Sequence, residues 1–334
     1  MTTKMALVGY GYWGPNLLRN YWAMPDVWVS WLCDLDARRL ADAAARYPGL
    51  PTTTHLEEVL EDPEVEAVVV ATPVSTHHEI ASRALRAGKH VFVEKPMTAA
   101  SEEADDLVTV SESVGKVLMV GHTFVYSPPV QKVKEIITAG DLGEVYFVTS
   151  SRVNLGIHQH DVSVIWDLAP HDLSILEYWL DESPTSVSAV GRSCVNPKTP
   201  DVAFISLSYE SGILAQLEVS WLSPVKLRRT VIVGSKKMLL YDDTENVEKV
   251  KLFDHGVDFK DPESFGEYQL SYRTGDILSP KIASTEPLYI EARHFLESVR
   301  TGARPNTDAK AGRAVVRTLE AAERAMLAGC RVNL

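Results

Sequence analysis

The strongest constraint on this chain lies within its first 34 residues. An apolar run, KMALV (4–8), leads into GYGYWG, then a helix-like stretch, then a second apolar run, VWVSWLC (27–33), that ends at Asp34. Gly9, Gly11 and Gly14 fall at GxGxxG spacing, and Pro15 suits the first turn of the helix that follows. Glycine in that loop permits a tight turn and a close backbone approach to a pyrophosphate, whose charge the free N–H groups at the helix start receive. Tyr12 and Trp13 lie inside the same loop and are counted with the cofactor residues. Asp34 stands where a carboxylate binds both hydroxyls of an adenosine ribose, so NAD is the expected cofactor. Arg38 and Arg39, on the next helix, are placed to meet a 2′-phosphate and keep NADP open.

The same pattern continues. Apolar runs at 65–71, 90–93 and 116–121 alternate with helix-like segments, several closed by glycine. Strands joined by helical crossovers imply right-handed βαβ units and a parallel sheet covered on both faces. Beyond residue 122 the pattern changes to a helix near 128–139, one around 168–180, and seven strand-like runs between 144 and 253, several joined by tight turns such as ESG and GSKK. The expected fold class is α/β. A doubly wound Rossmann domain occupies 1–122, and an α+β domain with a large, mostly antiparallel, open-faced sheet occupies 123–334. Residues 255–287 are polar and weakly periodic and read as a long loop, with helices at 288–300 and 308–328 closing the chain.

Composition narrows the function classes. A formal net charge of −12 argues against broad binding to nucleic acid or anionic membranes. Cys33, Cys194 and Cys330 are widely spaced and form no CxxC, a reduced intracellular pattern. The amino terminus enters a strand without a signal-peptide core, and no apolar run approaches a membrane span, so a cytoplasmic protein is expected.

Ligands of a doubly wound sheet sit outside the carboxyl ends of its strands, which singles out three further groups. Thr72 and Pro73 end the third major strand, and His77 opens the next helix. HVFVEKPM (90–97) runs a buried strand directly into Glu94 and Lys95 at that edge. An ammonium there can hydrogen-bond a substrate oxygen and stabilise charge that develops during hydride transfer. In WDLAPHDL (166–173), Asp167 reads as an N-cap with Pro170 in the first turn and His171 at i+4 on the same face. The helix start would favour a neutral imidazole able to accept a proton, oriented by the carboxylate. HQHD (158–161) lacks a defensible third-ligand spacing, and hydride transfer needs no metal, so none is expected. Arg152, Arg228, Arg229 and Arg273 are candidate clamps for an anionic substrate.

These motifs resemble the Gfo/Idh/MocA family of oxidoreductases along nearly the whole chain. The matching stretches are GYGYWG (9–14), ATPVSTHH (71–78), AGKHVFVEKP (87–96), DLAPH (167–171) and EARHFLESVRTGARPNTDAKAG (291–312). The resemblance implies that Lys95 contacts substrate and nicotinamide, that Glu94 belongs to the cofactor site, and that the Lys95–Pro96 peptide is cis. It also implies that Asp167 and His171 are the paired substrate and proton-transfer residues, and that the protein is a homodimer or homotetramer. The segment before the histidine departs from inositol dehydrogenases, which carry glycines where this chain has Val164, Ile165 and Trp166. WDLAPHD, VGYGYWGPN and GHTFVYSP (121–128), the last bringing His122 to the substrate side, are more similar to the subgroup acting on nucleotide-linked sugars, often at carbon 3. The implied activity is hydroxyl/keto interconversion on a sugar ring with NAD or NADP. The competing readings are an NADPH-dependent ketosugar reductase of antibiotic or deoxysugar synthesis and a non-catalytic dinucleotide-binding regulator.

Overall fold

The computed structural model describes residues 2–156, 162–197, 199–260 and 269–334. It divides into two compact units, Met1–Ser127 with Thr285–Arg317, and Pro128–Ser284 with Thr318–Leu334. The first contains β1 (Thr3–Val8), α1 (Gly14–Trp22), β2 (Val27–Cys33), α2 (Ala37–Arg46), β3 (Thr52–Thr53), α3 (Leu56–Glu61), β4 (Ala67–Val70), α4 (His77–Arg86), β5 (His90–Glu94), α5 (Ser101–Val114) and β6 (Leu118–Gly121). The strands pair in parallel in the order β3-β2-β1-β4-β5-β6. Ala67–Val70 and Val91–Val93 are buried, as a strand covered on both faces requires. The order reverses between β1 and β4, where the loops after neighbouring strands leave in opposite directions and open a crevice.

The second unit holds α6 (Pro128–Thr138), β7 (Val145–Val153), α7 (Val164–Leu180), β8 (Ser186–Arg192), β9 (Val202–Ser208), β10 (Leu214–Ser220), β11 (Leu227–Gly234), β12 (Met238–Asp242), β13 (Val250–Lys260) and β14 (Gln269–Leu278). Then come α8 (Pro287–Thr301), which belongs to the first unit, α9 (Ala309–Ala328), whose residues are shared between the units, and β15 (Val332–Asn333). Nine strands form one sheet, antiparallel except for the β7–β10 pair. Ala203, Ile205 and Leu207 of β9, with Ala215, Leu217 and Val219 of β10, face inward, and the residues between them do not. This alternation leaves one face covered by α7 and the other open.

Two sequence expectations change. A single division at 122/123 does not describe the chain, because α8 returns to the first unit. Leu288, Ala292, Phe295 and Leu296 form its buried stripe, Phe295 meets Phe92 edge-on at 5.7 Å, and Arg293 and Arg300 both bond Asp26. The expected loop at 255–287 is instead largely the β13–β14 hairpin, paired from Leu252↔Leu278 to Lys260↔Gln269. Most of β14 is exposed on both faces, so its sequence never shows the apolar/polar alternation of a half-buried strand.

Candidate active site

The glycine loop leaves β1 with Gly9 at φ +99°, and a Cβ there would sit 2.5 Å from the Ala71 carbonyl oxygen. Only glycine lets the loops after β1 and β4 approach this closely. A Cβ on Gly14 would collide with the Gly9 carbonyl, so α1 must begin on glycine. No side chain caps α1, which leaves its first-turn amides for an anion. Tyr12 is 94% exposed and stacks beside Trp13 at 6.4 Å.

Asp34 follows β2 and is buried. Its Oδ2 accepts the Tyr10 N–H at 2.6 Å and its Oδ1 accepts the Asp36 N–H at 2.8 Å, so it is held in place by the glycine loop itself. The cap of α2 is Asp36, whose carboxylate accepts the Arg38 N–H at 2.9 Å. Arg38 is also tied to Asp36 through its side chain, whereas Arg39 stands 3.6 Å from Asp34. The cation next to the Asp34 carboxylate is therefore Arg39 rather than Arg38.

At the ends of β4 and β5, Thr72 takes a hydrogen bond from Thr76 at 2.8 Å, and Pro73 begins a short 3-10 turn. The His77 ring is buried, with Nε2 2.8 Å from the Thr72 carbonyl and Nδ1 3.0 Å from the Pro96 carbonyl. It ties the two loops together, so both ring nitrogens are engaged with backbone. The Lys95–Pro96 peptide is cis. Lys95 is half-buried, and its N–H donates to Glu94 Oε2 at 3.2 Å. Glu94 itself is buried, which pushes its carboxyl up to about 8 against the pull of the Lys95 charge. His122, just after β6, is 1% exposed with neither ring nitrogen hydrogen-bonded. Burial and the Lys95 charge depress it to about 3, so the imidazole is neutral. An uncommitted donor and acceptor at this sheet edge suit a polar ligand group.

In the second unit, α7 starts four residues earlier than expected, directly after Ser163, because Val164 and Ile165 are buried and extend the helix. Asp167 is thus a first-turn residue and not the N-cap, and Pro170 lies inside the helix. His171 is the eighth residue of α7, beyond the turn over which the helix dipole acts, so that part of the expectation does not carry over. The i, i+4 spacing stands. Trp221, fully buried after β10, donates its indole N–H to Asp167 Oδ2 at 2.9 Å and packs against Gly156, where a Cβ would come within 2.9 Å of the indole.

Arg152 does not stand open to a substrate. Its Nε donates to Asp172 Oδ2 at 2.6 Å, both side chains are about 5% exposed, and Ser150 adds a bond to Oδ1 at 2.9 Å. This buried pair braces α7 on β7. Arg228, Arg229 and Arg273 pair with Asp243, Asp242 and Asp254. The HQHD stretch lies outside the described residues, and among those described no three His, Cys, Asp or Glu side chains could hold a metal ion.

Sequence reasoning missed Trp221, whose partner is 54 residues away, and Glu291. Glu291 did leave a trace, since it interrupts the apolar stripe of α8 between Leu288 and Phe295.

The donor set fits a dinucleotide: a glycine cradle, a fixed carboxylate after β2, an uncapped helix start, and Lys95 with His122 at the same sheet edge. Comparison with known proteins agrees. Residues 3–122 match the GFO_IDH_MocA model, an oxidoreductase family with an NAD-binding Rossmann fold, and residues 130–240 match the GFO/IDH/MocA C-terminal domain. Scyllo-inositol 2-dehydrogenase (NAD(+)) of Bacillus subtilis is 28% identical over 259 residues, 74% of this chain and 71% of that protein. UDP-N-acetylglucosamine 3-dehydrogenase of Acidithiobacillus ferrooxidans is 29% identical over 245 residues, 73% of this chain and 75% of that one. A solved structure from gentamicin A biosynthesis, in complex with NAD, superposes with a TM-score of 0.82 at 26% identity, covering 100% of this chain and 96% of the other.

Proposed function

Because this chain belongs to the GFO/IDH/MocA family of NAD-binding oxidoreductases, we propose that it interconverts a hydroxyl and a keto group on a ring carbon of a sugar or nucleotide-linked sugar, with carbon 3 the preferred position. The observation that carries this reading is the joint presence of Lys95 at the carboxyl end of β5 and of Asp167 and His171 one turn apart on α7, with Asp167 held by Trp221. Relatives that act on inositol at carbon 2 and on a UDP-linked sugar at carbon 3 support the substrate class.

NAD, when bound, supplies the hydride acceptor. Gly9, Gly11 and Gly14 with the start of α1 would hold its pyrophosphate, Asp34 its adenosine ribose, and Lys95 with His122 its nicotinamide end. In the oxidation direction the carbon-bound hydrogen leaves with its electron pair, and the hydroxyl proton passes to His171. Lys95 hydrogen-bonds the substrate oxygen while negative charge builds there, and Asp167 keeps His171 or a neighbouring hydroxyl in place. A cytoplasmic setting belongs to this reading, supported by Cys33, Cys194 and Cys330 all being free thiols. So does a homo-oligomer, supported by Phe147, Val190, Phe204 and Leu214 exposed on the open face of the large sheet.

One observation favours a second version, reduction with NADPH: Arg39 beside Asp34 offers a cation to a 2′-phosphate. Parallel measurement with both cofactors and a panel of UDP-linked sugars tests the proposal. Turnover with at least one such sugar, reduced at least about a hundredfold in Lys95→Ala, is the expected result. Cofactor binding without turnover on any sugar would favour a regulator instead.

A further inference from the structure

The second unit buries a carboxylate that the proposed reaction does not use. Asp201 immediately precedes β9 and is 0% exposed. Its side chain accepts two consecutive backbone N–H groups of the β8–β9 connection, that of Cys194 at 3.0 Å and that of Val195 at 2.8 Å. Consecutive amides that converge in this way make a concave anion seat, and their bonds to a carboxylate are charge-assisted. The backbone of Asp201 is engaged as well. Its N–H donates to the Arg192 carbonyl at 3.1 Å, and its carbonyl accepts the Trp221 N–H at 3.0 Å and the Ser220 hydroxyl at 3.3 Å. The β9–β10 ladder ends at Ser220↔Val202, so the bond from Trp221 to Asp201 carries it one residue further. The carbonyl of the preceding residue, Pro200, takes the Val164 N–H at 3.0 Å, and Val164 is the first residue of α7.

The Asp201 carboxylate thus closes the β8–β9 connection onto the two backbone carbonyls that receive Trp221 and the start of α7. Those are the two ends of a single contact. Trp221 donates its indole N–H to Asp167 Oδ2 at 2.9 Å, and Asp167 lies in the first turn of the helix that Val164 opens. We propose that Asp201 is a positioning residue for Asp167, acting through Trp221 and the first turn of α7. A hydrogen bond of this length is lost when its atoms separate by about a further 0.7 Å, so the contact depends on both ends being held together. With the carboxylate in place, the connection, the end of β10 and the helix start form one hydrogen-bonded knot. Without it, the 194 and 195 amides lose their acceptor, the 200–201 backbone is released from the connection, and the indole and the Asp167 carboxylate are no longer kept in register.

This role rests on Asp167 being a working residue in the hydride-transfer reading, and its test includes readouts that need no turnover. Asp201→Asn keeps the side-chain shape but replaces one acceptor oxygen with a donor that faces the same amides. The Trp221 indole N–H signal, identified by its loss in Trp221→Phe, should move in Asp201→Asn and exchange with solvent at least about tenfold faster. With a UDP-linked sugar, kcat should fall roughly tenfold while NAD affinity is unchanged, and Asp201→Asn combined with Trp221→Phe should be no slower than Trp221→Phe alone. An unmoved indole signal, or losses in kcat that multiply in the double variant, overturns the proposal. Native-state hydrogen exchange of the parent keeps it falsifiable should Asp201→Asn fold poorly. The Cys194 and Val195 amides should then be protected to within about tenfold of the Val164 and Trp221 amides, because all four open together. Exchange of the first two a hundredfold or more faster overturns it. If the indole and exchange signatures are seen while no sugar is turned over, the positioning of Asp167 stands and the hydride-transfer reading falls.

Discussion

Replacing Glu94 by glutamine should stabilise the first unit, and by an amount that depends on pH. The carboxyl titrates near 4.5 in an unfolded chain and at about 8 in the folded one, because burial penalises its charge. Between those values the native state binds more protons than the unfolded state, so stability falls as pH rises. The stabilising contribution of the neutral carboxyl is complete below pH 4.5 and lost progressively up to about 8. At roughly 1.4 kcal/mol per pH unit, the loss amounts to about 3 kcal/mol at pH 7. Glutamine has nearly the same shape and no titrating proton, so the variant escapes this loss. Its advantage over the parent should be close to zero near pH 4.5 and about 3 kcal/mol at pH 7, which corresponds to roughly a hundredfold in the opening equilibrium. Hydrogen exchange of the Val91, Phe92 and Val93 amides in β5 reads this directly, since these residues are fully buried and their exchange reports opening of the unit. An advantage that is independent of pH, or a variant less protected than the parent at pH 7, would refute the claim that Glu94 is buried as a neutral acid.

Three more outcomes follow from single contacts. Gly9→Ala places a Cβ 2.5 Å from the Ala71 carbonyl oxygen in a left-handed backbone, and calorimetric titration should show NAD affinity lowered at least about tenfold. Trp221→Phe removes a hydrogen bond to the Asp167 carboxylate, of the order of 1.5–3 kcal/mol, so kcat should fall roughly tenfold or more while NAD affinity stays unchanged. Asp172→Ala leaves Arg152 buried without its carboxylate and should cost about 3–5 kcal/mol of stability by denaturant titration, whereas replacing both residues with apolar ones of similar volume should restore much of the loss.

The legibility of this protein follows the range of its interactions. The parallel sheet was readable because glycine spacing, the acid after β2 and alternating strand and helix periods are all local signals. The place of Lys95 at the end of β5 and the spacing of Asp167 and His171 on one helix were readable for the same reason. The two-residue strand β3 and the helix α3 carry too few residues for a period to emerge. The β13–β14 hairpin was hidden because strands exposed on both faces need not alternate. Arg152 was misread as a substrate clamp because a lone arginine in a strand does not declare a partner 20 residues away, and Trp221 and Glu291 depend on contacts across 54 and 168 residues. The start of α7 moved because apolar Val164 and Ile165 extend the helix in spite of Pro170, a tertiary effect that capping preferences alone do not contain.

In the proposed function Lys95 and His171 serve one hydride-transfer reaction. Single-turnover nicotinamide absorbance with a UDP-linked sugar, recorded for the parent, Lys95→Ala, His171→Ala and the double variant, tests it most directly. Each single variant should bind NAD yet lose most of the reduction rate, with the double variant little worse than either alone, as expected of groups that act as a unit. Near-parental reduction rates in both single variants would contradict it.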